Sequence, residues 1–92
     1  MGMSNNVTYN TALNRYELHE NGHIVYANCR ESDGVLYIDY VEAPQELRGT
    51  GAAGRLMQGL SDIADGKDLK MIPICGYAAS WLGRHRPTLN NN

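Results

Sequence analysis

Between Arg15 and Glu42 apolar and polar residues alternate with a period of two, and the alternation breaks twice, at Asn21-Gly22 and at Asp33-Gly34. Both dipeptides favour two-residue hairpin loops, because their residues accept positive φ. The pattern predicts three antiparallel strands in a meander. The turns also fix a register. An Asn21-Gly22 loop sets Glu20 opposite His23, Leu18 opposite Val25 and Tyr16 opposite Ala27; an Asp33-Gly34 loop sets Cys29 opposite Ile38 and Ala27 opposite Tyr40. The two hairpins agree on one apolar face of Tyr16, Leu18, Val25, Ala27, Cys29, Ile38 and Tyr40. Arg15, Glu17, His19, Asn28, Arg30 and Asp39 take the other face.

After Pro44 the period changes. From about Thr50 to Asp65, the residues Ala53, Leu56, Met57, Leu60, Ile63 and Ala64 fall on one stripe of an amphipathic helix. Gly66 stands where a left-handed C-terminal cap belongs. Lys70-Met71-Ile72-Pro73-Ile74 reads as a short strand, weakened by Pro73 and so placed at a sheet edge or a splay. A last helix runs from about Tyr77 to His85, before Pro87. The order is β-β-β-α-β-α. A helix between the third and fourth strands makes the fourth parallel to the third through a right-handed crossover, which gives an α+β fold on a mixed sheet. Residues 1 to about 11 and Asn90-Asn91-Asn92 lack periodicity and are expected to fray, leaving an ordered core of about residues 12–88.

Ninety-two residues leave room for a single domain spanning 1–92. Eight Lys and Arg against ten Asp and Glu give a net charge of -2, which argues against a partner bound through phosphate backbones, and so against nucleic acid. No apolar run approaches the roughly 18–20 residues of a membrane span, and the N-terminus lacks the apolar stretch of a secretory signal. Asn6 also stands where the myristoylation pattern requires Ser or Thr. The chain reads as cytoplasmic, with no membrane partner. Cys29 and Cys75 are too few for a disulfide framework and are expected as free thiols, Cys29 in the core. With no Phe, six Tyr and one Trp carry the aromatic packing, each with a polar handle.

Two motifs compete for the chemistry. His19-Glu20-Asn21-Gly22-His23 matches the zinc pattern H-E-x-x-H, but Asn-Gly at its centre makes it a hairpin, which puts His19 and His23 on opposite faces, and no third ligand follows. No metal site is expected. Gly49-Thr50-Gly51-Ala52-Ala53-Gly54 matches G-x-G-x-x-G at the opening of a helix. There glycines let main-chain N–H groups approach a ligand, and the helix offers unpaired donors and a positive dipole end to an anion, above all a diphosphate. The dinucleotide version of this loop needs a strand running into the first glycine and an acid at the end of the next strand, and both are missing. Read as a P-loop, Gly49 to Gly54 is followed by Arg55-Leu56 in place of the Lys and the magnesium-binding Ser or Thr. Tight helix packing without a ligand is the alternative use of the glycines.

Arg48-Gly49-Thr50-Gly51-Ala52-Ala53 resembles the acyl-CoA pyrophosphate loop, Arg/Gln-x-x-Gly-x-Gly/Ala, of the GCN5-related N-acetyltransferases. The run Tyr40-Val41-Glu42-Ala43-Pro44-Gln45-Glu46-Leu47-Arg48-Gly49-Thr50-Gly51, with Ile72-Pro73-Ile74-Cys75 and Ala79-Ser80-Trp81-Leu82, is similar to the small single-domain members of that superfamily. The resemblance extends over about Arg15 to Pro87. It implies a compact fold in which an antiparallel meander leads into a β-α-β unit that binds acetyl-CoA in a V-shaped cleft, with no metal. Main-chain N–H groups of Arg48, Gly49, Thr50, Gly51, Ala52, Ala53 and Gly54 would hold the pyrophosphate. Main-chain groups of Val41 and Ala43 would pair with pantetheine and the acetyl carbonyl. Larger relatives add helices and strands that build the acceptor site. Their absence here implies a large acceptor, an amine on a protein or a polyamine, or a partner subunit, so that the chain acts as a monomer or a homodimer. The implied activity is acyl-CoA-dependent N-acetyl transfer to an unidentified amine; the alternative is a CoA-binding module without efficient turnover.

Transfer of acetyl to an amine needs a base, a polarised thioester and a proton for the departing thiolate. Glu42 shares the parity of Ile38 and Tyr40, so it is expected on the covered face, as a base or as a rim carboxylate in water. Cys75 closes the fourth strand just before a helix N-terminus, where the dipole favours negative charge. It is a candidate acyl acceptor, a lining residue for the sulfur end of the cleft, or a small buried hydrophobe. Tyr77 is placed to protonate the thiolate or to pack. Arg84-His85-Arg86 reads as a solvated helix end, with contact to the 3′-phosphate of CoA as a second use.

Overall fold

The computed structural model describes residues 6–86. Five strands form one sheet in the order of the chain: β1 (Thr8–Asn10), β2 (Arg15–Glu20), β3 (His23–Ser32), β4 (Val35–Glu42) and β5 (Lys70–Pro73). Helices α1 (Ala52–Gly66) and α2 (Gly76–His85) complete it, with a short 3-10 turn at Gln45–Leu47. The first three pairs are antiparallel and β4 to β5 is parallel, so the sheet is mixed and the fold is α+β.

The first hairpin has the register expected from its turn, with Glu20 facing His23, Leu18 facing Val25 and Tyr16 facing Ala27. Asn21 and Gly22 both have positive φ, 51° and 76°, as do Asp33 and Gly34, 51° and 78°. This is the twist that matches the flanking strands. The second hairpin departs from expectation. Cys29 faces Ile38, but Asn28 faces Tyr40 and Ala27 faces Val41, so Asp39 is an extra residue in β4 and forms a bulge. One extra residue inverts the faces beyond it. Tyr40, expected on the apolar face, is instead exposed and hydrogen-bonded to Glu42, and Val41 turns inward against the core.

Residues 6–11, read from the sequence as part of a frayed end, carry β1; residues 1–5 and Asn90-Asn91-Asn92 lie outside the described residues. Tyr9 faces Tyr16, their rings edge to face at 4.8 Å. The turn into β2 is held by the Asn10 side chain, whose Oδ1 accepts the Leu13 N–H at 3.1 Å, and by Asn14 at positive φ. Pairing with β1 makes β2 an interior strand. That change accounts for Glu17, which is buried although it belongs to the polar face: Arg15 Nε, His19 Nε2 and Asn10 Nδ2 all lie within 3.0 Å of its carboxylate.

The core sits between the apolar sheet face and the two helices. Leu18, Val25, Ala27, Leu36 and Ile38 of the sheet meet Leu56, Met57, Leu60 and Ala64 of α1 and Ala78, Trp81 and Leu82 of α2. Each fully buried Leu or Ile contributes about 1.5–3 kcal/mol of transfer free energy. The helix cap differs from expectation in one residue. Asp68, not Gly66, is left-handed, at φ 57°. Asp68 N–H reaches Asp65 O and Leu69 N–H reaches Ala64 O, which is the Schellman arrangement, shifted two residues along the chain.

Candidate acyl-CoA cleft

The parallel pairing of β4 with β5 stops at Ile38 and Pro73. Pro73 has no N–H to continue it, and Ile74 and Cys75 both donate to the one carbonyl of Ile38, at 2.9 and 3.1 Å. Beyond that point residues 39–42 of β4 have no strand on the β5 side, and the two chains splay. The end of β4 then passes through Ala43 and Pro44 into the 3-10 turn, which delivers the chain to the start of α1.

A cleft of about 360 Å³ lies in this splay. Val41 and Ala43 form one wall, Leu47, Arg48, Gly49 and Gly51 the loop, Ala52, Ala53 and Gly54 the first turn of α1, and Tyr77 of α2 the far side. Two other cavities, about 190 and about 320 Å³, include no residue of the loop.

The loop is shaped by two left-handed glycines, Gly49 at φ 80° and Gly51 at φ 87°, a conformation that costs other residues about 1–2 kcal/mol. Its main-chain donors are divided. Arg48 N–H is bonded to Gln45 O, Thr50 N–H to Leu47 O, and Ala52 N–H to the Thr50 hydroxyl, which itself donates to Leu47 O at 2.6 Å. The N–H groups of Gly49, Gly51, Ala53 and Gly54 have no partner among the described residues. No acidic residue sits in the first turn of α1 to compete for them. Four open donors at a helix N-terminus, backed by its dipole, fit a diphosphate. The expectation of donors throughout residues 48–54 is therefore narrowed to these four. Thr50 shapes the loop from behind and does not line the cleft.

Arg48 is turned away from the loop. Its Nε donates to Ala43 O at 3.0 Å and its Nη2 lies 3.3 Å from Glu42 Oε2. Glu42 also accepts from the Tyr40 hydroxyl, which raises the Tyr40 pKa. The bulge at Asp39 places Glu42 opposite Tyr26, on the sheet face away from the helices. The expectation that it points to the covered face is overturned, because parity was counted without the bulge. Gly54 brings α1 and α2 together: a Cβ on it would lie 3.6 Å from Trp81 Nε1 and 3.8 Å from the Tyr77 hydroxyl. Burial pushes the Tyr77 pKa up, so the phenol carries its proton at neutral pH. Cys75 is half-buried as the N-cap of α2, packed against the core, and forms no part of the cleft lining. Cys29 is also half-buried, and desolvation with Asp39 nearby pushes its thiol up to about 12.

Several other groups are committed elsewhere. His19 and His23 lie on opposite sheet faces, and among the described residues no group of three or more His, Cys, Asp or Glu could hold a metal. Arg86 bonds Ser61 Oγ and lies 3.2 Å from Asp65, tying α2 to α1, while His85 stacks on Trp81 at 4.4 Å. Arg84 bonds Ser80 on its own helix. Sequence reasoning missed Leu47, a buried wall residue. Its signal was present: one apolar residue between Glu46 and Arg48, in a segment too short to show a period.

Over residues 15–90, a stretch that contains the whole cleft, the chain matches the family described as GCN5-related N-acetyl-transferase, and it belongs to that family. The family's general activity is acyl-CoA-dependent acetyl transfer. No curated protein matches the chain. Among the described residues no helix is long and apolar enough to cross a membrane.

Proposed function

We propose that this protein binds acetyl-CoA in the cleft between β4 and α2 and transfers the acetyl group to an amine. The observation that carries the reading is the set of four unpaired N–H groups, on Gly49, Gly51, Ala53 and Gly54, at the mouth of a cleft whose opposite wall is an unpaired strand end. The diphosphate lies on the four donors. Pantetheine runs along Val41 and Ala43, with Arg48 giving up its bond to Ala43 O where that carbonyl is needed.

In the transfer, the amine nitrogen forms its bond to the thioester carbon and the carbon–sulfur bond breaks. The amine proton passes to water, and the departing sulfur takes a proton through the Tyr77 hydroxyl. Cys75 follows Ile74 where the strands splay, packed against the core and outside the cleft lining, and serves either as a transient acyl acceptor or as packing. Glu42 is not assigned as base; it anchors Arg48 from the far side of the strand. The acceptor is an amine on a protein or a polyamine.

Incubation with acetyl-CoA and a panel of amines, read as free thiol released, tests the proposal. Release that depends on added amine supports it. Binding without release supports a second reading, a CoA-binding module, which draws on one observation: the only carboxylate at the end of β4 is engaged by Tyr40 and Arg48. Acetyl-enzyme seen by intact mass, and its loss in Cys75→Ser, would place the thiol on the path.

A further inference from the structure

Tyr9 faces Tyr16 across β1 and β2, Tyr16 faces Ala27 across β2 and β3, and Glu31 faces Leu36 across β3 and β4. With Cys29, two residues on from Ala27, they form a corner of the sheet face that carries the core. Helix α1 ends at Gly66, and beside its end lies a cavity of about 320 Å³ lined by Tyr9, Tyr16, Cys29, Glu31, Leu36 and Lys67. It shares no residue with the acyl-CoA cleft, which opens at the other end of α1. Its volume stands at the small end of ligand-sized pockets, which begin at about 300 Å³.

The floor is apolar. Leu36 is buried, and burial pushes the Cys29 thiol up to about 12, so it is a neutral, polarisable surface. Tyr9 packs edge to face on Tyr16 and stays 46% exposed at the mouth. Tyr16 is only 8% exposed, yet its hydroxyl has no hydrogen-bond partner among the described residues. None of their side-chain polar atoms is both sealed from solvent and unpartnered, so this oxygen opens into the cavity that Tyr16 lines. Hydroxyls this deep are ordinarily satisfied, which makes the open one a place for a ligand atom. Burial raises its pKa, with Lys67 near enough to oppose the shift, and the phenol is a donor at neutral pH.

The rim carries both signs of charge. Lys67 Nζ donates to Glu31 Oε1 at 3.0 Å, with both side chains about half-exposed. The bond uses one of three ammonium protons and one of two carboxylate oxygens. Among the described residues the other donors of Lys67 and Oε2 of Glu31 are left side by side above the apolar floor. An α-amino acid has a carboxylate and an ammonium one carbon apart. Its carboxylate meets Lys67 and the Tyr16 hydroxyl, its ammonium meets Glu31 Oε2, and charges of opposite sign alternate around the ring so formed. An apolar side chain then lies on Tyr9, Cys29 and Leu36. A carboxylic acid without the amine sets a second anion beside Glu31, and an amine without the carboxylate sets a second cation beside Lys67 and leaves the Tyr16 hydroxyl unmatched.

We propose that this cavity is a binding site for a free α-amino acid with an apolar side chain.

Amide spectra of the ¹⁵N-labelled full chain, titrated with L-phenylalanine and with its two halves, 3-phenylpropionate and phenethylamine, test this. Phenylalanine is expected to shift Tyr16, Cys29, Glu31 and Lys67 saturably with a Kd of about 1 mM, as suits a small ligand held by half-exposed charges. Each half binds at least about tenfold more weakly. Lys67→Met lowers phenylalanine to the level of phenethylamine, and Glu31→Gln lowers it to that of 3-phenylpropionate. Tyr16→Phe weakens it about threefold, the loss of one neutral hydrogen bond. Circular dichroism shows that each variant is folded. The proposal is overturned if those residues show no saturable shift up to about 20 mM phenylalanine. It is overturned equally by 3-phenylpropionate binding as tightly as phenylalanine, which makes the site one for simple carboxylic acids, or by folded Lys67→Met and Glu31→Gln chains that bind like wild type.

Discussion

Asn28 faces Tyr40 across the β3–β4 ladder, one residue later than the neighbouring Cys29–Ile38 pair would set it. Asp39 absorbs the difference, and from that point Val41 looks into the cleft while Glu42 looks away. A general base is worth about 10²–10⁴-fold in rate. Glu42→Gln is therefore expected to change turnover by less than about threefold in the thiol-release assay, since the carboxylate acts through Arg48 and not on substrate. A hundredfold loss of kcat at unchanged KM would restore it as the base.

Gly54 separates stability from function. Alanine there meets Trp81 and Tyr77 at ordinary contact distances, 3.6 and 3.8 Å, and removes the entropic cost of glycine in a helix, about 0.5–1 kcal/mol. Gly54→Ala is expected to raise the melting temperature by a few degrees while weakening CoA several-fold, because the methyl narrows the cleft beside Tyr77. Gly54→Leu overpacks the contact between the helices, costs about 1–3 kcal/mol and closes the cleft to CoA. Thermal melts with and without CoA read both effects.

The buried carboxylate of Glu17 sets an acid limit. Hydrogen bonds from Arg15, then His19 and Asn10, hold its pKa at about 2, against 4.5 ordinarily. Its folded pKa is depressed, so its stabilising contribution is complete above about pH 4.5 and is lost as pH falls toward 2. Glu17→Gln is expected to cost about 1–3 kcal/mol at pH 7. The difference from wild type should stay constant down to about pH 5 and shrink below 4.5, measured by urea unfolding at each pH. A difference that does not change between pH 7 and 2 contradicts the assignment.

The two cysteines should label differently. With its pKa at about 12, Cys29 has about one thiolate in ten thousand at pH 8, so iodoacetamide modifies it far more slowly in the folded chain than after denaturation. Cys75 lies at the splay, and CoA is expected to slow its labelling several-fold, as peptide mass mapping would show. Equal labelling of Cys75 with and without saturating CoA would remove it from the neighbourhood of the sulfur.

Much of this was legible in the chain because the informative residues act locally. Asn21-Gly22 and Asp33-Gly34 impose their own φ values, so both hairpins and the first register were available without tertiary knowledge. The loop glycines declared the cleft for the same reason; Val41 and Ala43 were read from the family resemblance, and Tyr77 from the chemistry that acetyl transfer needs. The bulge at Asp39 has no sequence signal of its own, and it alone reversed Tyr40 and Glu42. Strand β1 was hidden because the turn at residues 11–14 uses Asn14 and an Asn10 side chain in place of glycine. The division of the loop amides into bonded and open could not be seen either, since it depends on the 3-10 turn and on which way the Thr50 hydroxyl points.

Amide resonances of the ¹⁵N-labelled chain, followed during titration with CoA, read the cradle atom by atom. Gly49, Gly51, Ala53 and Gly54 should show the largest shifts, with Thr50 and Ala52, already bonded within the loop, moving less. Saturating CoA that leaves those four resonances in place, or that shifts a different face of the sheet, would contradict the account.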